Sequence, residues 1–338
     1  MIDTLKGYAI FLVVWGHTIQ FFGEGLELMN QNIGKYIYIF HMPLFFFMSS
    51  LVGTRSITMP FKEMILKKFK TLIIPLICFS VLQFIICLFF DTLNGASLTP
   101  YTLIREFLYK IVGSYWFIII LTCFFILSNI ADKLSKDDRV FTLITMLLLW
   151  ILTFLLPRPR LPFNLYITYL QGMFPFFILG WIFYKFNLIS LIKKYSFPIF
   201  LLSTALLLLL IIYTIKDDFI YFQNYDFWFK KATLLHVVKA EGWLVIGGIV
   251  GIIAAFSSFS LLKRTRIIEY IRPVGKQTLG IYLIQGVIFN SFLIYHCPLL
   301  YNDILYFFIA IGITAISYFI CIVLDKTKLG QISLGKSW

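Results

Sequence analysis

The stretch GYAIFLVVWGHTIQFF, residues 7–22, carries no Asp, Glu, Lys or Arg, yet it holds one imidazole, His17. On a helix that advances 100° per residue, the eleven positions from Lys6 to His17 return to within about 20° of the same direction. Asp3 falls within about 40° of that direction and Ile10 within about 20°. One stripe therefore joins a charged pair, Asp3 and Lys6, to an imidazole about 16 Å further along the axis. A ligand with a polar head at one end and a reactive group near His17 fits that stripe. Neutral imidazole offers a lone pair that serves as a general base or as a nucleophile. The competing reading is a structural hydrogen bond from His17 to a neighbouring helix. A second histidine, His41, stands in YIYIFHMPLFFFMSS, five residues from the start of the next apolar run. His17 lies five residues from the end of its own run, so two antiparallel helices would bring both imidazoles to one depth and into one cavity. His41 also precedes Met42-Pro43, where a side chain can simply satisfy backbone groups freed by the proline.

The elements that must position these groups are membrane helices. Hydrophobic residues make up 60% of the 338-residue chain, aromatic residues 19% and charged residues 13%. Soluble domains are about a quarter charged. Ten apolar segments are candidates to span a bilayer: 7–22, 36–52, 72–90, 114–131, 140–156, 165–184, 197–215, 242–259, 278–294 and 304–324. Backbone groups in hydrocarbon must be satisfied within a segment, which selects helices, and the period-2 alternation of a membrane barrel is missing. The expected fold class is an all-α polytopic membrane protein of about ten transmembrane helices, a single integral-membrane domain over residues 1–338. With the N-terminus inside, the cytoplasmic segments hold 20 of the 29 Lys and Arg and 7 of the 16 Asp and Glu, so the whole net charge of +13 lies on that side. The positive-inside rule then puts both termini in the cytoplasm. The basic balance reflects topology and anionic lipid, and no nucleic-acid partner is implied. The five cysteines, Cys78, Cys87, Cys123, Cys297 and Cys321, lack metal-site or disulfide spacing and read as small packing residues. No metal is expected.

Other polar groups fall where they would line a cavity between these helices. Gln171 lies on the sixth apolar segment, Gln285 and Asn290 on the ninth, and Glu241 at the outer end of the eighth. Trp116, near the outer end of the fourth, could stack on a sugar ring. Each has an alternative as an interhelical hydrogen bond or an interfacial anchor.

The runs IDTLKGYAIFLVVWGHTI and FHMPLFFFMSS, with LKKFKTLIIPL, SYWFIIILTCFFIL and VGKQTLGIYLIQ further on, resemble the membrane-bound acyltransferase-3 family. Within it, the chain looks most like the fucose 4-O-acetylase-like O-acetyltransferases of surface sugars. The resemblance implies transfer of an acyl group, usually acetyl from acetyl-CoA, to a carbohydrate hydroxyl, with no permanently bound cofactor. It makes His17 the catalytic first-helix histidine. Lys6 stands where the family usually has arginine, which keeps the charge and loses bidentate phosphate contact. Lys67 and Lys70, with Lys68 nearby, stand where paired arginines mark the cytoplasmic mouth. Lys6, Lys67 and Lys70 are thereby the acyl-donor-binding residues, facing the phosphates of coenzyme A; lipid headgroups are the other account of Lys67 and Lys70. Gln285 stands where the family commonly has histidine. Two mechanisms stay open: His17 deprotonates the acceptor hydroxyl, or it carries the acyl group itself. The implied partners are acetyl-CoA, a carbohydrate acceptor and the lipid bilayer of a bacterial cytoplasmic membrane. A lipid-linked repeat unit, a capsular or O-antigen sugar and a nodulation-type oligosaccharide all suit the resemblance as acceptor. The alternative is a transporter or flippase of a lipid-linked sugar, which also needs many helices and intramembrane histidines, although neither half of the chain repeats the other.

Overall fold

A computed structural model describes residues 1–22, 32–93, 99–136, 138–156, 163–214, 234–262, 265–292 and 302–336, and these form helices and no strands. In chain order the helices are α1 (Ile2–Phe22), α2 (Asn32–Ile57) and α3 (Phe61–Lys68), which runs through a π turn at Phe69–Ile73 into α4 (Ile74–Leu93). Then follow α5 (Pro100–Ser114), α6 (Trp116–Leu134), α7 (Arg139–Thr153), α8 (Phe163–Lys185), α9 (Leu188–Lys194) and α10 (Ser196–Leu209). The last are α11 (Leu234–Leu261), α12 (Arg266–Lys276), α13 (Thr278–Val287), α14 (Asp303–Leu324) and α15 (Lys328–Ser333).

Each of the ten apolar segments coincides with a helix. By length and composition, six of the described helices can cross a membrane, and a seventh span results if α9 and α10, bent by 93°, are taken together. The three further expected spans correspond to α1, α7 and α13, so the helix count agrees with an all-α polytopic membrane protein. Helix α7 and the run Thr278–Ser291 are short apolar helices, and α1 carries Asp3, Lys6, His17 and Gln20. Two of these three, α1 and α13, bring polar groups into the bundle, so they depend on neighbouring helices to stay there.

Helix α2 is the centre of the bundle. Within its most apolar stretch 83% of residues are buried, against 28% in α14 and 33% in the α3–α4 run, and it packs on α1, α6, α8 and α11. The peripheral helices turn Phe89, Leu148, Leu202 and Phe319 outward, each more than half exposed. Such side chains are stable where the surrounding medium is hydrocarbon.

The basic end of the bundle is built by close approach. Gly7 of α1 and Gly275 of α12 face each other: a Cβ on Gly275 would overlap the Asp3 carbonyl, and one on Gly7 would overlap the Ile271 carbonyl. Pro75 has no N–H to give the Thr71 carbonyl, and the chain widens just before it into the π turn Phe69–Ile73. Near the other end of the chain, Lys336 pairs with Asp325 at 2.5 Å, and the Gln277 amide donates to the same carboxylate at 2.6 Å. Gln277 directly follows α12, which crosses α1, so the first and last described residues lie at the same end of the bundle.

Candidate active site

Helix α1 presents His17 toward α13, where the Gln285 side chain meets it: His17 Nδ1 and Gln285 Oε1 are 2.8 Å apart. The orientation of that amide is not free. Gln285 Nε2 donates to the Tyr282 carbonyl at 3.0 Å, and a carbonyl only accepts, so Oε1 is the atom turned to His17. An amide oxygen also only accepts, so the proton sits on His17 Nδ1 and the lone pair on Nε2. No hydrogen bond engages Nε2 among the described residues, and the ring is only partly buried. Phe289, in the π turn Ile288–Phe292 that continues α13, packs edge-on against the imidazole at 5.7 Å between centroids, and Phe21 closes the cluster by stacking on Phe289. The side chain is thus held by one polar clamp and two aromatic walls, with its basic nitrogen left available.

Below this point, toward the basic end of the bundle, lies a cavity of about 220 Å³. Phe45, Met48 and Val52 of α2, Phe117, Leu121 and Phe125 of α6, and Thr278, Leu279 and Tyr282 of α13 supply its walls, with Lys6 and Lys68 as its cations. Tyr282 belongs to both places: it lines the cavity, and its carbonyl orients Gln285. One turn of helix, about 4.5 Å of rise, separates the cavity wall from the histidine clamp. A volume this small holds a slender chain; a bulky head group would have to remain at the mouth.

The cations differ from those expected. Lys67 and Lys70 are exposed, whereas Lys68 is 8% exposed. Met64, Lys68 and Leu72 share the buried face of this run at four-residue spacing, which turns Lys67 and Lys70 away from the cavity. Lys68 Nζ stands 3.2 Å from the Phe125 ring centroid, and no carboxylate pairs with it among the described residues. Lys6 pairs with Asp3 at 3.5 Å, both partly exposed. The periodicity of LKKFK already carried this signal, since position 68 repeats with two apolar residues.

His41 lies on α2, which packs against α1. The backbone at Gly16 packs on Ile37 and Tyr38 of α2, and His41 lies one turn further along α2. Its Nδ1 donates to the Ile37 carbonyl at 2.9 Å. The carbonyl that Pro43 leaves without an N–H is that of Ile39, four residues back, so His41 is not serving the proline. Trp116 stacks on Tyr169 at 4.1 Å. The remaining expected lining groups are engaged elsewhere. Gln171 ties α8 to α7, donating to the Thr153 carbonyl at 2.9 Å and accepting from Trp150 on its backbone at 2.7 Å. Asn290 donates to the Gly286 carbonyl at 2.8 Å. The Glu241 side chain and Cys297 lie outside the described residues.

The site thus joins a cavity with two cations, a connecting tyrosine and a histidine with a free lone pair, which suits transfer of an acyl group from an anionic carrier. Comparison with known proteins bears on this directly. Residues 1–326 match the family described as an acyltransferase domain, acyltransferase-3. A protein described as nodulation protein NolL from Mesorhizobium japonicum is 25% identical over 310 residues, covering 85% of this chain and 76% of that protein. A protein of the same description from Sinorhizobium fredii is 24% identical over 307 residues, covering 85% of this chain and 77% of its own length. No solved structure matches. Because the family match runs from the first residue past the end of α14, the chain belongs to the acyltransferase-3 family of membrane acyltransferases.

Proposed function

We propose that this acyltransferase is an O-acetyltransferase of a bacterial cytoplasmic membrane, moving acetyl from cytoplasmic acetyl-CoA to a hydroxyl of a surface-polysaccharide or lipid-linked sugar. The observation that carries the reading is the line from Lys6 and Lys68, through the narrow cavity and Tyr282, to a histidine whose Nε2 is bare. The diphosphate of the donor belongs at the cations, its thin thioester arm in the cavity, and the acetyl group at Nε2. Either His17 takes the acceptor proton, the acceptor oxygen attacks the thioester carbon, and the departing thiolate collects that proton, or Nε2 attacks first and forms an acetyl-imidazole. Both routes use the same lone pair and give an ester and free coenzyme A. The similarity to two proteins described as nodulation proteins keeps a nodulation-type oligosaccharide among the candidate acceptors. Membership of an acyltransferase family favours this reading over the sugar-lipid flippase, for which no specific feature of the described residues speaks.

Purified protein in nanodiscs, given acetyl-labelled acetyl-CoA, is expected to release coenzyme A and to pass label to glycan from its host. His17→Ala should lower both by about 100-fold or more, the usual contribution of a positioned base or nucleophile. Full activity in that variant would remove His17 from the chemistry and the proposal with it.

A further inference from the structure

The two histidines share a feature that neither the donor path nor the family match requires. In each, Nδ1–H is bound to an atom that can only accept: Gln285 Oε1 for His17 and the Ile37 carbonyl for His41. Each is therefore fixed in the same tautomer, and each leaves Nε2 as a base, with no hydrogen bond to it among the described residues. The walls of the donor cavity include neither histidine, so both imidazoles stand beyond its inner end. Tyr38 packs edge-on against the His41 ring at 4.8 Å, is 7% exposed, and its hydroxyl has no hydrogen-bond partner among the described residues. A buried hydroxyl without a partner costs about 1–3 kcal/mol, a cost that a polar ligand beside it would remove.

We infer that His41 is the base for the acceptor and His17 the carrier of the acyl group, so that the two half-reactions use different imidazoles. This rests on the acetyltransferase reading and assigns its second step. In the first step, His17 Nε2 attacks the thioester carbon, the C–S bond breaks and the thiolate leaves, giving an acetyl-imidazolium on α1 that keeps its Nδ1–H on Gln285. In the second, His41 Nε2 takes the proton of the acceptor hydroxyl as its oxygen attacks the acetyl carbon. The C–N bond to His17 breaks, His17 returns to its neutral tautomer, and the proton on His41 passes to the thiolate or to solvent. Tyr38 hydrogen-bonds the acceptor beside the transferred position.

The test uses the complete protein and needs no knowledge of the natural sugar, because water and hydroxylamine serve as acceptors. His41→Asn keeps an N–H able to reach the Ile37 carbonyl but has no Nε2. With labelled acetyl-CoA, the variant should release about one equivalent of coenzyme A in a burst, retain label on His17, and then turn over with water about 100-fold more slowly than the natural protein. Hydroxylamine attacks an acyl-imidazole without a general base, so it should restore turnover to near the natural rate. Ordinary turnover of His41→Asn with water, or loss of the burst together with failure of hydroxylamine to rescue, would overturn the assignment. If the natural protein left acetyl-CoA intact under both conditions, the acetyltransferase reading itself would fall, and this assignment with it.

Discussion

A lysine ammonium that is 8% exposed and faces a phenyl ring carries a desolvation cost that no carboxylate among the described residues offsets. Lys68 is such a group, and the acetyltransferase reading supplies its missing counter-charge in the donor. The two lysines beside it then make a controlled comparison. Lys68→Met should raise the KM for acetyl-CoA by about 10-fold or more, the worth of one charge-assisted hydrogen bond, while thermal unfolding of the ligand-free protein stays level or shifts upward. Lys67→Met, on the exposed face, should change KM by less than about 2-fold. Initial rates and melting curves in detergent measure both, and equal KM effects would show that the charge acts from the surface rather than from the cavity. At this scale much of the site was legible. His17 and its stripe to Lys6 follow from helical period alone, and His41 from its depth. Lys68 was legible from the same period but masked by the family spacing of Lys67 and Lys70. The contact of His17 with Gln285, 268 residues away, was not, because no local pattern records how α1 and α13 are rotated toward each other.

Among the elements, the crossing of α1 and α12 does most to set the stripe in place. Arg266–Lys276 reads in the sequence as part of a basic cytoplasmic segment between two spans, yet it forms a helix with Arg266, Glu269, Tyr270, Arg272 and Lys276 exposed and Gly275 pressed into α1. Its backbone contact with Asp3 and Gly7 fixes the height at which Lys6 meets the cavity. Gly275→Val puts two methyls and a Cβ against the Asp3 carbonyl, where only backbone can move, and overpacking of this kind costs about 1–3 kcal/mol. The variant is expected to melt several degrees lower and to lose donor affinity along with rate, since α1 must shift as a body. Unchanged melting and kinetics would show the α1–α12 approach to be dispensable. The α12 helix escapes a span-by-span reading for a physical reason: an amphipathic interfacial helix of eleven residues has neither the length nor the apolar run that marks a crossing.

For the whole molecule, sidedness decides whether the proposed chemistry is possible. Acetyl-CoA is a cytosolic, multiply charged compound, so the proposed reaction requires the cavity that opens beside Lys6 and Lys68 to face the cytoplasm. The expected cytoplasmic segments hold 20 of the 29 Lys and Arg, and the Lys336–Asp325–Gln277 network brings the end of the chain to the foot of α1 and α13, an end that the positive-inside rule assigns to the inner side. On a cysteine-free background, Lys62→Cys lies on exposed α3 at this end, and Tyr101→Cys lies on α5, 74% exposed, at the other. A membrane-impermeant maleimide should label Tyr101→Cys in intact spheroplasts and Lys62→Cys only after lysis. The opposite pattern would turn Lys68 toward the exterior, where no acetyl-CoA is present. It would leave the acyltransferase fold standing but require a donor other than a cytosolic thioester. The labelling experiment therefore tests the direction of the reaction independently of any activity measurement, and it uses positions that touch neither histidine.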